Sequence, residues 1–164
     1  MAIFRKAARG SEPRRYIEEK TTVRVRFHEV DMMRIVWHGH YLAYFEEARR
    51  AFGRRWGLDY EVFFENGVAA PIVRIEAEFS APARLGDEIE VTARLMESEG
   101  AKIEFEYEAR RIPGGEVLAR GSSLQVFVGS DGLLLLTPPE FLIRLYQEWE
   151  KMRAWRSSGG SNPV

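Results

Sequence analysis

The sequence predicts one α+β domain, in which a five-stranded antiparallel sheet wraps around one long central helix and a second helix closes the C-terminal end. Three observations carry this. Five segments alternate apolar and polar residues with the period of a half-buried strand. Four of them follow one another across short breaks rich in turn residues, which suit antiparallel neighbours rather than crossover helices. Between the first and second segments lies a proline-free stretch whose apolar face is wider than one neighbouring helix would cover, so a sheet should enclose it.

Taken in order, residues 1–19 hold Arg5, Lys6, Arg9, Arg14 and Arg15 with Gly10 and Pro13, a composition that opposes helix and strand and reads as a flexible basic arm. The first strand is expected over Thr21–Val30, where Val23, Val25 and Phe27 alternate with Arg24, Arg26 and His28. His40–Trp56 places Tyr41, Leu42, Phe45, Ala48, Phe52 and Trp56 on one face of a helix about 25 Å long. Gly57 fits the C-terminus of that helix, and Asp59 is placed to cap a short one that reaches Asn66. Strands follow around Val73–Phe79, Ile89–Leu95, Ile103–Arg110 and Glu116–Val128, divided by Leu85-Gly86-Asp87, Glu99-Gly100 and Pro113-Gly114-Gly115. Pro138-Pro139 then introduces a helix bearing Phe141, Leu142, Leu145, Tyr146 and Trp149. The domain is thus expected over 20–152, with 153–164 a disordered tail.

The chain has 24 basic and 25 acidic side chains, so no overall field selects nucleic acid or a membrane surface. It has no cysteine, which excludes thiolate catalysis and disulfides and points to the cytoplasm. No apolar run approaches a membrane span and the N-terminal residues show no signal-peptide core, so membrane insertion is not expected.

The chemistry is concentrated before and at the start of the long helix. Val25-Arg26-Phe27-His28-Glu29-Val30-Asp31 is followed by Ile35-Val36-Trp37-His38-Gly39-His40-Tyr41-Leu42-Ala43-Tyr44-Phe45-Glu46-Glu47-Ala48-Arg49. This block resembles the signature of the 4-hydroxybenzoyl-CoA thioesterase-like proteins and the related Tol-Pal-associated acyl-CoA thioesterases. Phe79-Ser80-Ala81-Pro82-Ala83-Arg84-Leu85-Gly86-Asp87 resembles the same family's connection between its second and third strands. The resemblance spans roughly residues 21–150. It implies a hotdog fold, hydrolysis of an acyl-CoA thioester, no cofactor, and a homodimer or dimer-of-dimers tetramer with each site between two subunits. Asp31 matches the family's catalytic carboxylate, and His38 the position whose backbone N–H polarises the thioester carbonyl. Met32, Met33 and Arg34 depart from the pattern, standing where small residues and glycine are common, and His40 stands where Asn is common.

These residue types suit the reaction. A carbonyl under attack gathers negative charge on oxygen, and the unpaired N–H groups at a helix N-terminus are aimed to receive it. Asp31 is suited to deprotonate water or to attack carbon directly, and the sequence leaves both routes open. Trp37 and Tyr41 are expected against the substrate and Arg84 near its phosphates, with Arg74 a further candidate. Glu46 and Glu47 are placed to favour the helix dipole, and Glu47 is also a candidate second acid. His38 and His40 form a His-x-His pair, but His28 is the one histidine left and cysteine is absent, so no metal is expected. A hotdog hydratase or dehydratase and a non-catalytic acyl-CoA-binding protein are the alternatives.

Overall fold

The computed structural model describes residues 14–157. Strand β1 (Tyr16–Arg24) is followed by a 3₁₀ turn (Phe27–Glu29), helix α1 (His40–Trp56) and short helix α2 (Tyr60–Glu65). Then come β2 (Val68–Ala69), β3 (Ile72–Phe79), β4 (Glu88–Met96), β5 (Lys102–Ile112), β6 (Val117–Val126), β7 (Val128–Gly129) and helix α3 (Glu140–Ser157). The main sheet has five antiparallel strands in the order β1-β4-β5-β6-β3, as expected, and β2 and β7 form a small separate ladder. This is the hotdog arrangement, with α1 lying across the concave face.

Helix α1 forms where the apolar face requires it. Tyr41, Tyr44, Phe45, Ala48 and Phe52 are all buried, so the stripe recurs at the helical spacing of three and four residues. Gly57 ends the helix in the left-handed region (φ 68°) with its N–H donating to Gly53 O. Phe45 is the centre of the contact. Its ring stacks on Tyr107 of β5, with centroids 4.8 Å apart, and lies over Gly121 of β6, where a Cβ would fall 2.5 Å from the ring. Full burial of this one side chain stabilises the fold by about 3 kcal/mol. Asp59 caps α2 as expected, its carboxylate accepting from Val62 N–H at 3.2 Å.

Three boundaries differ from the sequence reading. The first strand is Tyr16–Arg24 rather than Thr21–Val30. It pairs with β4 from Tyr16↔Met96 to Arg24↔Glu88. The alternation does continue past Arg24, but the Glu29 carboxylate accepts from Arg26 N–H at 2.7 Å and winds Phe27–Glu29 into a 3₁₀ turn. Phe27, expected in the core, is therefore 81% exposed. The part of the expected arm that is described is not free either, because Arg14 pairs with Glu104, and Arg15 with Glu97 and Glu150. Residues 1–13 lie outside the described residues. At the other end α3 runs through Ser157, past the expected limit at 152, and 158–164 lie outside the described residues.

The outer sheet face carries charge. Glu108 is buried there, 8% exposed, and accepts from Arg110 Nε at 2.7 Å and Arg120 Nε at 2.8 Å.

Candidate active site

Between the 3₁₀ turn and α1 the chain closes a small loop. Val30 and Val36 form an antiparallel bridge, and within it Asp31 N–H donates to Ile35 O at 2.9 Å and Arg34 N–H to Asp31 O at 2.9 Å. The Asp31 carboxylate accepts from Met33 N–H at 2.8 Å, an Asx turn that holds the side chain in the loop. Arg34 takes φ 62°, a left-handed conformation that glycine adopts without strain and arginine does not. Met32 and Met33 are 101% and 71% exposed. The bulky residues after Asp31 thus point to solvent and do not fill the space beside the carboxylate.

The other end of the loop feeds the helix. Trp37 N–H donates to Glu29 O at 2.9 Å, and Val36 N–H to Ala83 O at 2.9 Å. His40, Tyr41 and Leu42 N–H groups donate back to Trp37, His38 and Gly39 carbonyls. This leaves the N–H groups of His38 and Gly39 with no acceptor among the described residues. They stand at the positive end of a 17-residue helix. The Trp37 ring lies across Gly39, where a Cβ would come within 1.9 Å of it. Glycine at this position lets the half-exposed indole cover the helix entry.

Of the expected site residues, Trp37 and His38 are adjacent, ring centroids 4.7 Å apart, and His38 also faces Phe79 of β3 at 6.3 Å. Asp31 belongs to the same loop but makes no hydrogen bond with His38. Arg84 directly follows Ala83, which holds Val36, so it stands beside the site. Its guanidinium has no hydrogen-bond or ion-pair partner among the described residues. Tyr41, expected against the substrate, is instead 3% exposed. Its ring supports Phe79 from 5.2 Å, and burial raises its hydroxyl above the ordinary tyrosine range against the opposing pull of Ala83 and Arg111. Arg74 lies 3.8 Å from Glu76 on the exposed strand β3. Glu47 is at the surface with Arg50, 3.7 Å away.

One residue of the site has no sequence signal. Glu29 is buried, and its carboxylate accepts from Tyr44 OH of α1 at 2.8 Å as well as from Arg26 N–H. With its own carbonyl holding Trp37, Glu29 ties the turn, the Asp31 loop and the helix together. Nothing in its type or spacing distinguishes it from a solvated glutamate.

Fold and site together define a hotdog protein with a helix N-terminus free to take up negative charge and a carboxylate in the adjoining loop. Residues 25–145 match the thioesterase-like superfamily; the chain belongs to this family. It is 33% identical to the hypothetical protein TT1821 of Thermus thermophilus, whose crystal structure superposes with a TM-score of 0.70, covering 78% of this chain and 97% of that one. A Bacillus subtilis protein named as a candidate acyl-CoA thioesterase, YneP, is 29% identical over 112 residues, 68% of this chain and 80% of that protein. The acyl-CoA thioester hydrolase YbgC of Escherichia coli is 29% identical over 83 residues, 51% of this chain and 62% of that protein. The fold is also that of a 4-hydroxybenzoyl CoA thioesterase solved with 4-hydroxybenzoyl CoA, at 23% identity and a TM-score of 0.68, covering 78% of this chain and 97% of that one.

Proposed function

We propose that this protein hydrolyses an acyl-CoA thioester to the acid and CoA, with Asp31 as the catalytic carboxylate. The observation that carries the reading is the pair of uncommitted N–H groups of His38 and Gly39 at the head of α1, beside a loop that holds Asp31. The thioester oxygen takes its developing charge against these amides. Water adds to the carbonyl carbon as Asp31 removes its proton, and collapse expels the CoA thiolate, which is then protonated. Alternatively Asp31 attacks the carbon, forms an anhydride and releases CoA before water cleaves it. Single turnover in ¹⁸O water separates the two routes, because only the anhydride route can place label in Asp31. His38 contributes its amide, Trp37 covers the entry, Arg84 offers an unpaired charge to a CoA phosphate, and Tyr41 braces Phe79.

The working unit of this reading is at least a homodimer. Strand β3 is a sheet edge whose far side is unpaired among the described residues, and Val73 and Phe79 on it are about half exposed. A second copy adding its own β3 there completes the sheet and brings a partner loop to each site. Within one chain Met32 and Met33 leave the space beside Asp31 open, which favours hydrolysis over the non-catalytic binding alternative.

The test is release of free thiol from short-chain, long-chain and aromatic acyl-CoAs. Asp31→Asn is expected to lower turnover on the best substrate by about 100-fold or more. Full turnover in that variant removes Asp31 from the mechanism.

A further inference from the structure

Strand β5 breaks its own pattern at one position. Ile103, Phe105, Tyr107 and Ala109 are buried on the inner face of the sheet, and the next position on that face is Arg111, in register with the fully buried Ile89 of β4. An arginine on the core side of a sheet is stable there only with its donors matched. Those of Arg111 are. Its Nε donates to the Asp87 carboxylate at 3.1 Å, its Nη2 to Pro82 O at 2.5 Å, and its Nη1 to the Glu116 carboxylate. Its charge is also close enough to Tyr41 to oppose the rise that burial imposes on that hydroxyl.

Pro82 and Asp87 lie in the connection between β3 and β4, and this connection grips the segment that carries the site at both ends. At the near end Val25 N–H donates to Asp87 O at 2.9 Å and Gly86 N–H to Val25 O at 3.1 Å. At the far end Val36 N–H donates to Ala83 O at 2.9 Å, and Val36 closes the Asp31 loop against Val30. Asp87 keeps the connection folded, its carboxylate accepting from Arg84 N–H at 2.9 Å and its own N–H donating to Arg84 O at 3.0 Å. The Arg111 fork therefore fixes the connection on either side of Ala83, the residue that holds Val36.

We propose that Arg111 is a positioning residue for the hydrolysis: by holding residues 82–87 it sets where the Asp31 loop stands relative to the amides of His38 and Gly39. The inference rests on thioester hydrolysis at the head of α1 and adds a residue that acts only through its neighbours. A planar guanidinium reaches both acceptors at once, which an ammonium on a flexible stem does not. A loop displaced by about 1 Å is enough to lower the rate by up to about 100-fold. The exposed Arg84 side chain is long and able to follow a CoA phosphate, so substrate binding is expected to change far less than the chemical step.

Thiol release from butyryl-, dodecanoyl- and benzoyl-CoA is measured for the full chain and its variants, and amide hydrogen exchange is followed by NMR. Arg111→Met keeps the stem and removes the fork; kcat on the best of the three substrates is expected to fall about tenfold to 100-fold, with KM changed less than about threefold. Exchange at Val36 N–H should accelerate at least about tenfold while Ala93, in the middle of β4, exchanges as in wild type. Arg111→Lys should recover part of the lost kcat, and Asp87→Asn should lose it as Arg111→Met does. Glu116→Gln, which alters only the contact with the β5–β6 hairpin, should leave kcat unchanged. Wild-type kcat in Arg111→Met overturns the proposal, as does an equal loss in Glu116→Gln, which assigns the effect to the hairpin. If Arg111→Met does not fold, Arg111→Lys and Asp87→Asn decide, and wild-type kcat in both overturns it. If wild type releases no thiol from any of the three, the hydrolase reading fails separately. Faster Val36 exchange in Arg111→Met then still gives Arg111 its hold on the loop, and unchanged exchange removes it.

Discussion

At the scale of single residues, the least obvious contribution is that of Glu29. Its carboxylate has two donors, Tyr44 OH and Arg26 N–H. Burial first, and then the bond to Glu29, raise the Tyr44 hydroxyl far above the ordinary tyrosine range, so it remains a donor at every working pH. Tyr44→Phe removes that donor and leaves a buried carboxylate oxygen unmatched. The expected loss is about 1–3 kcal/mol in urea unfolding, together with a fall in turnover as the loop and helix lose their tie. Unchanged stability and unchanged turnover would show that the Tyr44–Glu29 bond holds nothing in place. Asp31, Trp37 and His38 could be singled out in the sequence because they lie in one contiguous block, and Arg84 because it lies in a second one, residues 79–87. Glu29 lies in the first block, yet its burial depends on Tyr44, fifteen residues on, and composition carries no trace of that partnership.

Among the elements, α1 was readable to its ends, since an apolar stripe, a following glycine and the absence of proline all agree on His40–Trp56. Strand β1 was displaced in the reading because the alternation at Val25 and Phe27 has no stop signal, and the stop is made by a side chain three residues on. The residues just before it looked like part of a basic arm for a related reason, as Arg14 and Arg15 are matched by Glu97, Glu104 and Glu150, all distant in sequence. The seat of α1 on the sheet depends on Gly121, which lies in the interior of β6 where glycine otherwise weakens a strand. Gly121→Ala places a methyl against the Phe45 ring and Glu76 O. A loss of about 1–3 kcal/mol in thermal or urea unfolding is expected from this overpacking. An unaltered midpoint would mean that the helix shifts freely over the sheet.

For the whole molecule, the charged outer face makes stability depend on pH. Burial pulls the Glu108 carboxyl upward, but the hydrogen bonds and charges of Arg110 and Arg120 outweigh it and hold it below its ordinary value of 4.5. A folded value below the unfolded one means that the contribution is fully present above the unfolded carboxylate range and is lost as pH falls through the folded value. The stability difference between wild type and Glu108→Gln should therefore be largest near neutrality and shrink in acid below the ordinary carboxylate range. A difference of equal size in both conditions would assign it to packing. The unpaired edge of β3 bears on handling as much as on architecture. If the proposed pairing of β3 with a second copy completes the site, the rate per mole depends on how much of the protein is in the tube. Sedimentation should give a dimer at micromolar chain, and specific activity should decline on serial dilution and return on reconcentration. Assays at trace enzyme would then understate the turnover of the assembled form.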